Sequence, residues 1–380
     1  MEPIVIVGTG LAGYGVAREL RKMDATVPIV LLSRDGAEQY AKPNLSAALA
    51  AGHTPERLVQ ASAEDVANKL RADVRPFSVV TAIDPEARTL TVNGTALKYR
   101  DLVLAVGADP LRPPFLTAEV AADGRVLQVN DLADYRRWRD RLAGVQRVVV
   151  IGAGLIGVEF ASDLVAAGKT VTVVDMGTQP LGRLLPPEAA EVMRGQLQAA
   201  GVQWRLGQGI AQLNLGPDAV EVVLQDGQQV TGELILVAIG LSPRLDLARQ
   251  AGLKTARAIV VDAHLATSAP HIYALGDCAE VAGQWLPYVA PLLHGAKALA
   301  ATLSGQPMAV AYPPMPVIVK TPPCPTVVLT PPQGSIWQTT HEGANVRALA
   351  HDAFGGLRGF ALMGANVADR TTLARQVVST

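Results

Sequence analysis

The chain has 380 residues and a formal net charge of −1 at pH 7. Apolar residues make up 49% of it and charged residues 18%, which excludes an intrinsically disordered chain and predicts two or three globular domains. Because the net charge is close to zero, the chain as a whole has no electrostatic attraction to nucleic acid or to an anionic membrane, and neither is an expected partner.

The amino terminus begins directly with strand-like sequence, "MEPIVIVGTG", and shows none of the basic, apolar and cleavage regions of a secretion signal. No apolar run reaches the ~18 residues typical of a membrane-spanning helix. We therefore expect a cytoplasmic protein. The two cysteines, Cys278 and Cys324, are too few for a disulfide framework and too far apart for a C-x-x-C pair. The six histidines show no metal-ligand spacing, so no metal site is expected.

A strand, a glycine-rich turn and a helix are the first predicted elements. Ile4–Val7 is apolar, glycines follow at Gly8, Gly10 and Gly13, and the residues "YGVARELRKM" have helical periodicity. A second apolar run, Pro28–Leu32, completes a βαβ unit.

The same pattern returns in the middle of the chain. The apolar run Val148–Ile151 precedes Gly152, Gly154 and Gly157, and the helix-like "VEFASDLVAAG" and strand-like "TVTVVDM" follow. In a dinucleotide-binding turn the first glycine permits the tight turn, the second lets backbone N–H groups approach a pyrophosphate, and the third allows helix and strand to pack closely. One such motif can be an ordinary turn, but two copies between strand and helix signals predict two dinucleotide sites.

An acidic residue after the second strand of such a unit hydrogen-bonds the adenosine ribose and repels a 2′-phosphate. Asp175 has this position in the second unit, and the turn "DMGTQ" contains no arginine, which predicts NADH over NADPH. In the first unit the first polar position is Ser33, followed by Arg34. Asp35 either contacts the ribose there or begins a turn with Gly36.

Three further segments are similar to the two-dinucleotide-binding-domain flavoprotein superfamily. They are "YRDLVLAVGADP" (Tyr99–Pro110), "HIYALGDCAE" (His271–Glu280) and "VAIGLSPRLDLARQAGL", which resembles the crossover from the NAD domain to the FAD domain. The resemblance covers nearly the whole chain. It implies an α/β fold of the glutathione-reductase-like type, with two Rossmann-like dinucleotide-binding domains and a small α+β C-terminal domain. The implied boundaries are 1–112 and 241–312 for the FAD-binding domain, 113–240 for the NAD-binding domain and 313–380 for the C-terminal domain.

The segment "YAKPNLSAAL" resembles the ferredoxin-reductase-like and rubredoxin-reductase branch of this superfamily. The resemblance implies that Lys42 and Pro43 lie near the flavin, where a basic group would stabilise the anionic reduced form. The alternative is a surface lysine in a loop. The branch often has a second lysine after the serine, but here Ala47 follows Ser46.

The tail "AYPPMPVIVKTPPCPTVVLTPP" resembles the C-terminal domain of the rubredoxin-reductase branch. Its prolines exclude a continuous helix and predict strands separated by turns. By the resemblance, Lys320 lies near the flavin; the alternative is an exposed position on an edge strand.

The resemblance also assigns roles to two acidic residues. Asp277 would contact the phosphate or ribityl part of FAD, unless it only forms a turn with Gly276. Glu159 would lie near the nicotinamide amide, unless it is an ordinary acid in the first turn of a helix. Together with the catalytic candidates Lys42, Glu159 and Lys320, the residues implied to bind FAD or NADH are Gly8, Gly10, Leu11, Ala12, Gly13, Ser33, Arg34, Pro43, Ala105, Gly107, Gly152, Gly154, Leu155, Ile156, Gly157, Asp175, Gly240, Gly276 and Asp277.

Many members of the superfamily pass electrons through a redox-active cysteine, but the segment "AKPNLSAAL" contains none. Both cysteines of the chain are expected to be small buried residues. The resemblance therefore implies an FAD-dependent reductase that transfers electrons from NADH, through FAD, directly to rubredoxin or a similar small iron carrier. The alternatives are a ferredoxin reductase of an oxygenase system, a reductase for a rubredoxin-like domain of another flavoprotein, and a non-catalytic redox sensor that binds FAD and NADH.

Overall fold

The computed structural model describes residues 2–378, and these divide into two compact units. The first unit contains the chain up to Lys42, Arg57–Asp109 and Leu241–Tyr312. The second contains Pro43–Glu56, Pro110–Gly240 and the chain from Pro313 onward. The C-terminal segment thus belongs to the same compact unit as the second glycine motif. The functional domain boundaries implied by the resemblance stay a prediction.

A parallel sheet of five strands forms the centre of the first unit. Apart from the edge strand Asp73–Arg75, its strands are short and mostly buried apolar runs, because helices cover both faces of such a sheet. In spatial order they are Ile272–Ala274, Asp101–Leu104, Ile4–Val7, Ile29–Leu32 and Asp73–Arg75. The helices are Leu11–Met23, Ala63–Leu70, Asp246–Gln250 and Val289–Leu303, of which the first and the last pack together.

Smaller elements complete the first unit. They are the antiparallel strands Val80–Asp84, Thr89–Val92 and Thr95–Lys98, the pair Gln39–Tyr40 and Val59–Ala61, the pair Ile259–Val261 and Ala279–Val281, and the 3-10 helix Gly276–Cys278. Three elements lie where the chain passes between the units: the strand Ala108–Pro110, which pairs with Leu241–Pro243, the 3-10 helix Lys42–Ala47 and the short helix Pro55–Leu58.

The second unit also has a parallel sheet of five strands at its centre. In spatial order the strands are Val126–Leu127, Leu234–Val237, Arg147–Ile151, Thr170–Asp175 and Val202–Leu206. An antiparallel sheet of Ile210–Leu215, Val220–Leu224 and Gln229–Gly232 accompanies it. The helices are Ala118–Ala122, Leu132–Leu142, Leu155–Ala166 and Pro187–Ala199.

The C-terminal part of the second unit is an antiparallel sheet of five strands, followed by helical turns. In spatial order the strands are Val317–Val319, Thr326–Leu329, Leu357–Met363, Asn345–His351 and Ile336–Glu342. The 3-10 helix Gly364–Asp369 and the helix Arg370–Gln376 end the described chain. The predicted strands in the proline-rich tail are confirmed.

The predicted α/β class is confirmed, with two Rossmann-like domains and a small α+β C-terminal domain. Both predicted βαβ units form, and the first strand, Ile4–Val7, has the predicted bounds. The predicted helix and strands differ from the observed ones by a few residues at their ends, where capping decides the boundary. Within residues 2–378, no helix is both long and apolar enough to cross a membrane.

Candidate active site

The first glycine motif forms a tight turn between the strand Ile4–Val7 and the helix Leu11–Met23. Gly8 has a φ of +112°, and a Cβ there would overlap the carbonyl oxygen of Ala105. A Cβ on Gly13 would overlap the carbonyl oxygen of Gly8, whereas one on Gly10 would meet no protein atom within 4 Å. Gly10 is the N-cap of the helix, and the first turn of that helix contains no acidic residue. This is a positive helix terminus open to an anionic group.

The second motif repeats this arrangement in the second unit. Gly152 has a φ of +113°, and a Cβ there would overlap the carbonyl oxygen of Ala238. A Cβ on Gly157 would overlap the carbonyl oxygen of Gly152, and one on Gly154 would meet nothing within 4 Å. Gly154 is the N-cap of the helix that Leu155 and Ile156 begin. Each unit therefore has one cradle of the shape that a dinucleotide pyrophosphate requires.

In the first unit several other predicted FAD residues lie at the carboxyl ends of the parallel strands, which is where ligands bind in such sheets. Ala105 and Gly107 follow the strand Asp101–Leu104, and Gly276 follows Ile272–Ala274. A Cβ on Gly276 would lie 3.1 Å from the Cβ of Ala12, so the Gly-Asp turn lies directly beside the first glycine motif.

Ser33 lies at the carboxyl end of the strand Ile29–Leu32 but is buried. Its hydroxyl lies 2.6 Å from the hydroxyl of Thr9 and donates to Asp35 at 2.5 Å. The Asp35 carboxylate also accepts the N–H of Ala37 at 3.0 Å, and this contact forms the local turn that is the alternative to a ribose contact.

Basic side chains converge on two carboxylates of the first unit. Arg244 donates to Asp109 at 2.9 Å through Nε and to the carbonyl oxygen of Val106 at 2.6 Å, which holds the loop that contains Gly107. Arg34 lies 3.8 Å from Asp109. Burial opposes ionisation of Asp109, but its contacts with Arg244 and the charges of Arg34 and Lys42 outweigh that effect and lower its pKa.

Asp277 is in the opposite situation. Burial raises the pKa of its carboxyl, and the nearby charges of Lys42 and Arg244 only partly offset this. Among residues 2–378, none donates a hydrogen bond to the carboxylate, while its backbone carbonyl accepts the indole N–H of Trp285 at 2.9 Å. A half-buried acid without a hydrogen-bond donor beside a pyrophosphate cradle fits the hydroxyl groups of a ribityl chain.

In the second unit, Asp175 lies at the carboxyl end of the strand Thr170–Asp175, as predicted. Its carboxylate accepts the backbone N–H groups of Ala153 at 2.5 Å and Gly177 at 2.6 Å, so it also fixes the glycine turn. Gly240 follows the neighbouring strand with a φ of +119°, and a Cβ there would lie 3.3 Å from the side chain of Leu111.

An ion pair with a buried carboxylate joins the helix of the second glycine motif, called the NAD-type helix below, to the C-terminal domain. Glu159, on the helix Leu155–Ala166, is completely buried, and the Lys320 ammonium group is paired with its Oε2 atom. The backbone N–H of Lys320 donates to Oε1 at 2.9 Å. The hydroxyl of Ser46 donates to Oε2 at 2.5 Å. Three hydrogen bonds from two segments that are far apart in sequence therefore satisfy one carboxylate, as a buried charge requires.

The positions of two predicted residues differ from the simpler alternatives, while their roles at the cofactors stay predictions. Glu159 lies beyond the first helical turn, which contains no acidic residue, so it is not an ordinary first-turn acid. Lys320 follows the edge strand Val317–Val319, but its side chain is 30% exposed and ion-paired rather than free. Lys42 is half-buried at the start of the 3-10 helix Lys42–Ala47, and Pro43 follows it in the same helix.

Two polar residues of this site were not predicted from the sequence. Ser46 was considered only as part of a motif, and Asp163 was not singled out. Asp163 accepts the backbone N–H groups of Leu49 and Ala50, both at 2.9 Å, although burial raises the pKa of its carboxyl. The available signal was helical spacing: residues 159 and 163 lie on one face of a helix that is otherwise apolar there.

Both cysteines are free and buried, as predicted. Burial raises the pKa of the Cys278 thiol to about 11 and also raises the pKa of Cys324. Neither is therefore a thiolate at neutral pH.

Two dinucleotide cradles and the loops at the carboxyl ends of the parallel strands define a protein with two dinucleotide-binding domains. The chain belongs to the pyridine nucleotide-disulphide oxidoreductase family, whose model matches residues 2–299. A second model, described as the rubredoxin binding C-terminal domain, matches residues 309–377.

Individual proteins are similar over nearly the whole length. The chain is 44% identical to a rubredoxin-NAD(+) reductase of Alcanivorax borkumensis, with 99% of each sequence covered. It is 38% identical to a nitric oxide reductase FlRd-NAD(+) reductase of Aeromonas salmonicida, with 98% of the chain and 96% of that protein covered. The crystal structure of a ferredoxin reductase for the CYP199A2 system from Rhodopseudomonas palustris is 28% identical, has a TM-score of 0.89 and covers 100% of the chain and 96% of that structure.

Proposed function

We propose that this protein is an FAD-dependent NADH:rubredoxin oxidoreductase. One observation carries the proposal: a chain with two pyrophosphate cradles continues into a domain of the rubredoxin-binding type. Lys320 of that domain is bonded to Glu159 of the NAD-type helix. NADH donates electrons as a pair and rubredoxin accepts them singly. A bound flavin supplies the chemistry that converts one into the other.

The residues of the first unit fit FAD. The N–H groups behind Gly10 would bind its pyrophosphate, and Asp277 would accept hydrogen bonds from ribityl hydroxyls. Lys42 would stabilise negative charge on the reduced ring. Pro43, the next residue along the chain and the first of the second unit, would pack by that ring. Ser33, Arg34, Ala105, Gly107 and Gly276 would shape the remaining walls.

The residues of the second unit fit NADH. The N–H groups behind Gly154 would bind the pyrophosphate, and Asp175 would bind the adenosine ribose and repel a 2′-phosphate. We assign the nicotinamide end to Gly240 and to the pair Glu159 and Lys320. The burial of Glu159 supports that assignment, because desolvated charges are costly and are concentrated at functional sites.

We further propose that no thiol takes part in electron transfer. Both cysteines are buried, and burial raises the pKa of each thiol. The acceptor would therefore dock next to the flavin edge over a modest, partly polar surface. Free thiols and the use of NADH also support a cytoplasmic location. For the functional domains we propose the boundaries given above: 1–112 with 241–312, 113–240 and 313–380.

A three-step assay tests the proposed function. The purified protein should show a flavin absorption spectrum, NADH should bleach it under anaerobic conditions, and rubredoxin should restore it while becoming reduced. A thiol-blocking reagent should leave all three steps intact. A colourless protein that cannot be reconstituted with FAD would contradict the proposal, as would rubredoxin reduction no faster than ferredoxin reduction.

A second acceptor is supported by one observation. The similarity to a nitric oxide reductase FlRd-NAD(+) reductase extends over 98% of the chain, so a rubredoxin-like domain within a larger protein is the second candidate. The same assay, with equal concentrations of free rubredoxin and of such a domain, ranks the two by kcat/KM.

A further inference from the structure

Two carboxylates of the helix Leu155–Ala166 hold the segment Pro43–Ala50, and only one of them belongs to the ion pair described above. Glu159 and Asp163 are four residues apart, so they lie on one face of the helix, and their side chains are buried. Glu159 accepts the hydroxyl of Ser46. Asp163 accepts the N–H groups of Leu49 and Ala50, one on each carboxylate oxygen.

The bonded positions on the segment are spaced about as far apart in sequence as Glu159 and Asp163 are on the helix. Ser46 lies at the end of the 3-10 helix Lys42–Ala47, and Leu49 and Ala50 follow within one turn. Both bonded positions of the segment are held by one helix, Leu155–Ala166, instead of being free to move separately. The helix itself is packed through Phe160, whose ring meets the ring of Trp138 edge to face at a centroid distance of 6.2 Å.

From this geometry we infer that Asp163 is a positioning residue for the reductase reaction: it fixes the backbone of Pro43–Ala50 and thereby the residues Lys42 and Pro43 at the start of that segment. Lys42 belongs to the same 3-10 helix as Ser46, and Leu49 and Ala50 follow the end of that helix at Ala47 by two and three residues, so a displacement of these two residues acts on the helix that contains Lys42. The inference deepens the proposed function, because the role of Lys42 rests on it.

A positioning role explains why a carboxylate occupies this buried position. Burial raises the pKa of its carboxyl, and the N–H groups of Ala50 and Leu49 and the charge of Arg139 oppose the rise. The carboxylate accepts two backbone N–H groups. An apolar side chain at this position would leave both of these hydrogen bonds unmade. Tyr135, on the neighbouring helix Leu132–Leu142, also faces this charge.

The adjacent Ser162 provides a matched control on the same helix. It is buried to the same degree as Asp163, with 2% and 7% of the surface exposed, respectively. Among the described residues its hydroxyl has no hydrogen-bond partner, and it makes no polar contact with the segment. Replacing it removes a buried polar group from this helix and leaves both carboxylates in place.

The first measurement is hydrogen exchange in the FAD-bound protein. A hydrogen bond to a charged acceptor contributes about 1.5–3 kcal/mol, which corresponds to roughly 10–100-fold in an exchange rate. In Asp163→Ala we expect at least about tenfold faster exchange at the amides of Leu49 and Ala50. Asp163→Asn keeps one carbonyl acceptor and should release one of these amides. Ser162→Ala should exchange like the wild type.

The second measurement separates positioning from a merely structural role. We expect Asp163→Ala to slow anaerobic flavin reduction by NADH about tenfold and to shift the flavin potential, with an unchanged KM for rubredoxin. Unchanged exchange at Leu49 and Ala50 would overturn the inference. So would faster exchange with a wild-type reduction rate and potential, or equal effects in Ser162→Ala. If Asp163→Ala does not fold, Asp163→Asn decides by the same criteria.

The failure of this inference and the failure of the proposed function give different results. If the wild-type protein binds FAD and is reduced by NADH but does not reduce rubredoxin, the proposed acceptor is wrong while the test of Asp163 still stands. If rubredoxin is reduced normally by every variant, the proposed function stands and the positioning role is wrong.

Discussion

Lys320 donates to Glu159 twice, through its backbone N–H to Oε1 at 2.9 Å and through its ammonium group to Oε2. The side chain of Glu159 is 1% exposed and that of Lys320 is 30% exposed. The double contact fixes both the charge and the backbone of the C-terminal domain at this point. The removal of either partner therefore has different consequences.

Lys320→Met should destabilise the protein more than Glu159→Gln. The first change leaves a buried carboxylate without its cation, which typically costs about 3–5 kcal/mol, and the partial exposure of Lys320 favours the lower end. The second change leaves a lysine that can turn toward water. Urea unfolding of both variants and of the double variant measures the coupling. A double variant that loses the sum of the two single losses would show that the pair is not energetically coupled.

The glycine motifs predict a separation of folding from cofactor binding. Gly13→Ala should destabilise the first unit by about 1–3 kcal/mol, because its Cβ would overlap the carbonyl oxygen of Gly8. Gly10→Ala should leave the stability of the FAD-free protein nearly unchanged, since its Cβ would meet no protein atom within 4 Å. It should nevertheless weaken FAD binding. Thermal unfolding and FAD titration of the two variants check this, and equal FAD affinity in Gly10→Ala and the wild type would contradict it.

Asp175 is expected to determine the preference for NADH. In Asp175→Ala the ribose loses a charged acceptor, which corresponds to about 1.5–3 kcal/mol or roughly a 10–100-fold loss of kcat/KM for NADH. The loss for NADPH should be smaller, because repulsion of its 2′-phosphate disappears. The carboxylate also holds the N–H groups of Ala153 and Gly177, so both values should fall somewhat. The measured quantity is the ratio of the two kcat/KM values, and an unchanged ratio would exclude the assigned role.

The pKa of Asp277 predicts a stability that depends on pH in the FAD-free protein. Burial raises this pKa above the unfolded value of about 3.9. The group therefore contributes most stability in acid, and that contribution is lost as the pH rises through the raised pKa. Asp277→Asn should accordingly raise the melting temperature of the FAD-free protein at pH 8 more than at pH 5, while it weakens FAD binding. A melting temperature that is lower in Asp277→Asn at pH 8 would contradict the prediction.

Local patterns were sufficient to predict the cradles. Gly8, Gly10 and Gly13 lie within a stretch of six residues. Their spacing alone therefore predicts both the turn and its ligand. The strands that carry them are continuous apolar runs of the kind that only a sheet covered on both faces contains. The strands of the C-terminal tail were also predicted from local sequence, because its prolines exclude a continuous helix.

Contacts between distant segments could not be predicted in the same way. The bond between Ser46 and Glu159 joins positions 113 residues apart, and no periodicity relates them. The contact of Arg244 with Asp109 spans 135 residues. It depends on the pairing of the strands Ala108–Pro110 and Leu241–Pro243. Asp163 is intermediate: its place on the face of Glu159 follows from helical spacing, but its acceptance of two N–H groups depends on the fold of the loop opposite.

The strand Asp101–Leu104 has consequences for biosynthesis, because its outer neighbour is Ile272–Ala274. The link between His271 and Asp101 at this edge spans 170 residues. At about 5–20 residues per second, a ribosome needs roughly 10–30 s to supply the missing neighbour. During this interval an apolar strand edge would stay unpaired, which is the arrangement that favours aggregation. We therefore expect the need for chaperones and the effect of slow codons to be greatest while the residues between these two strands are being translated.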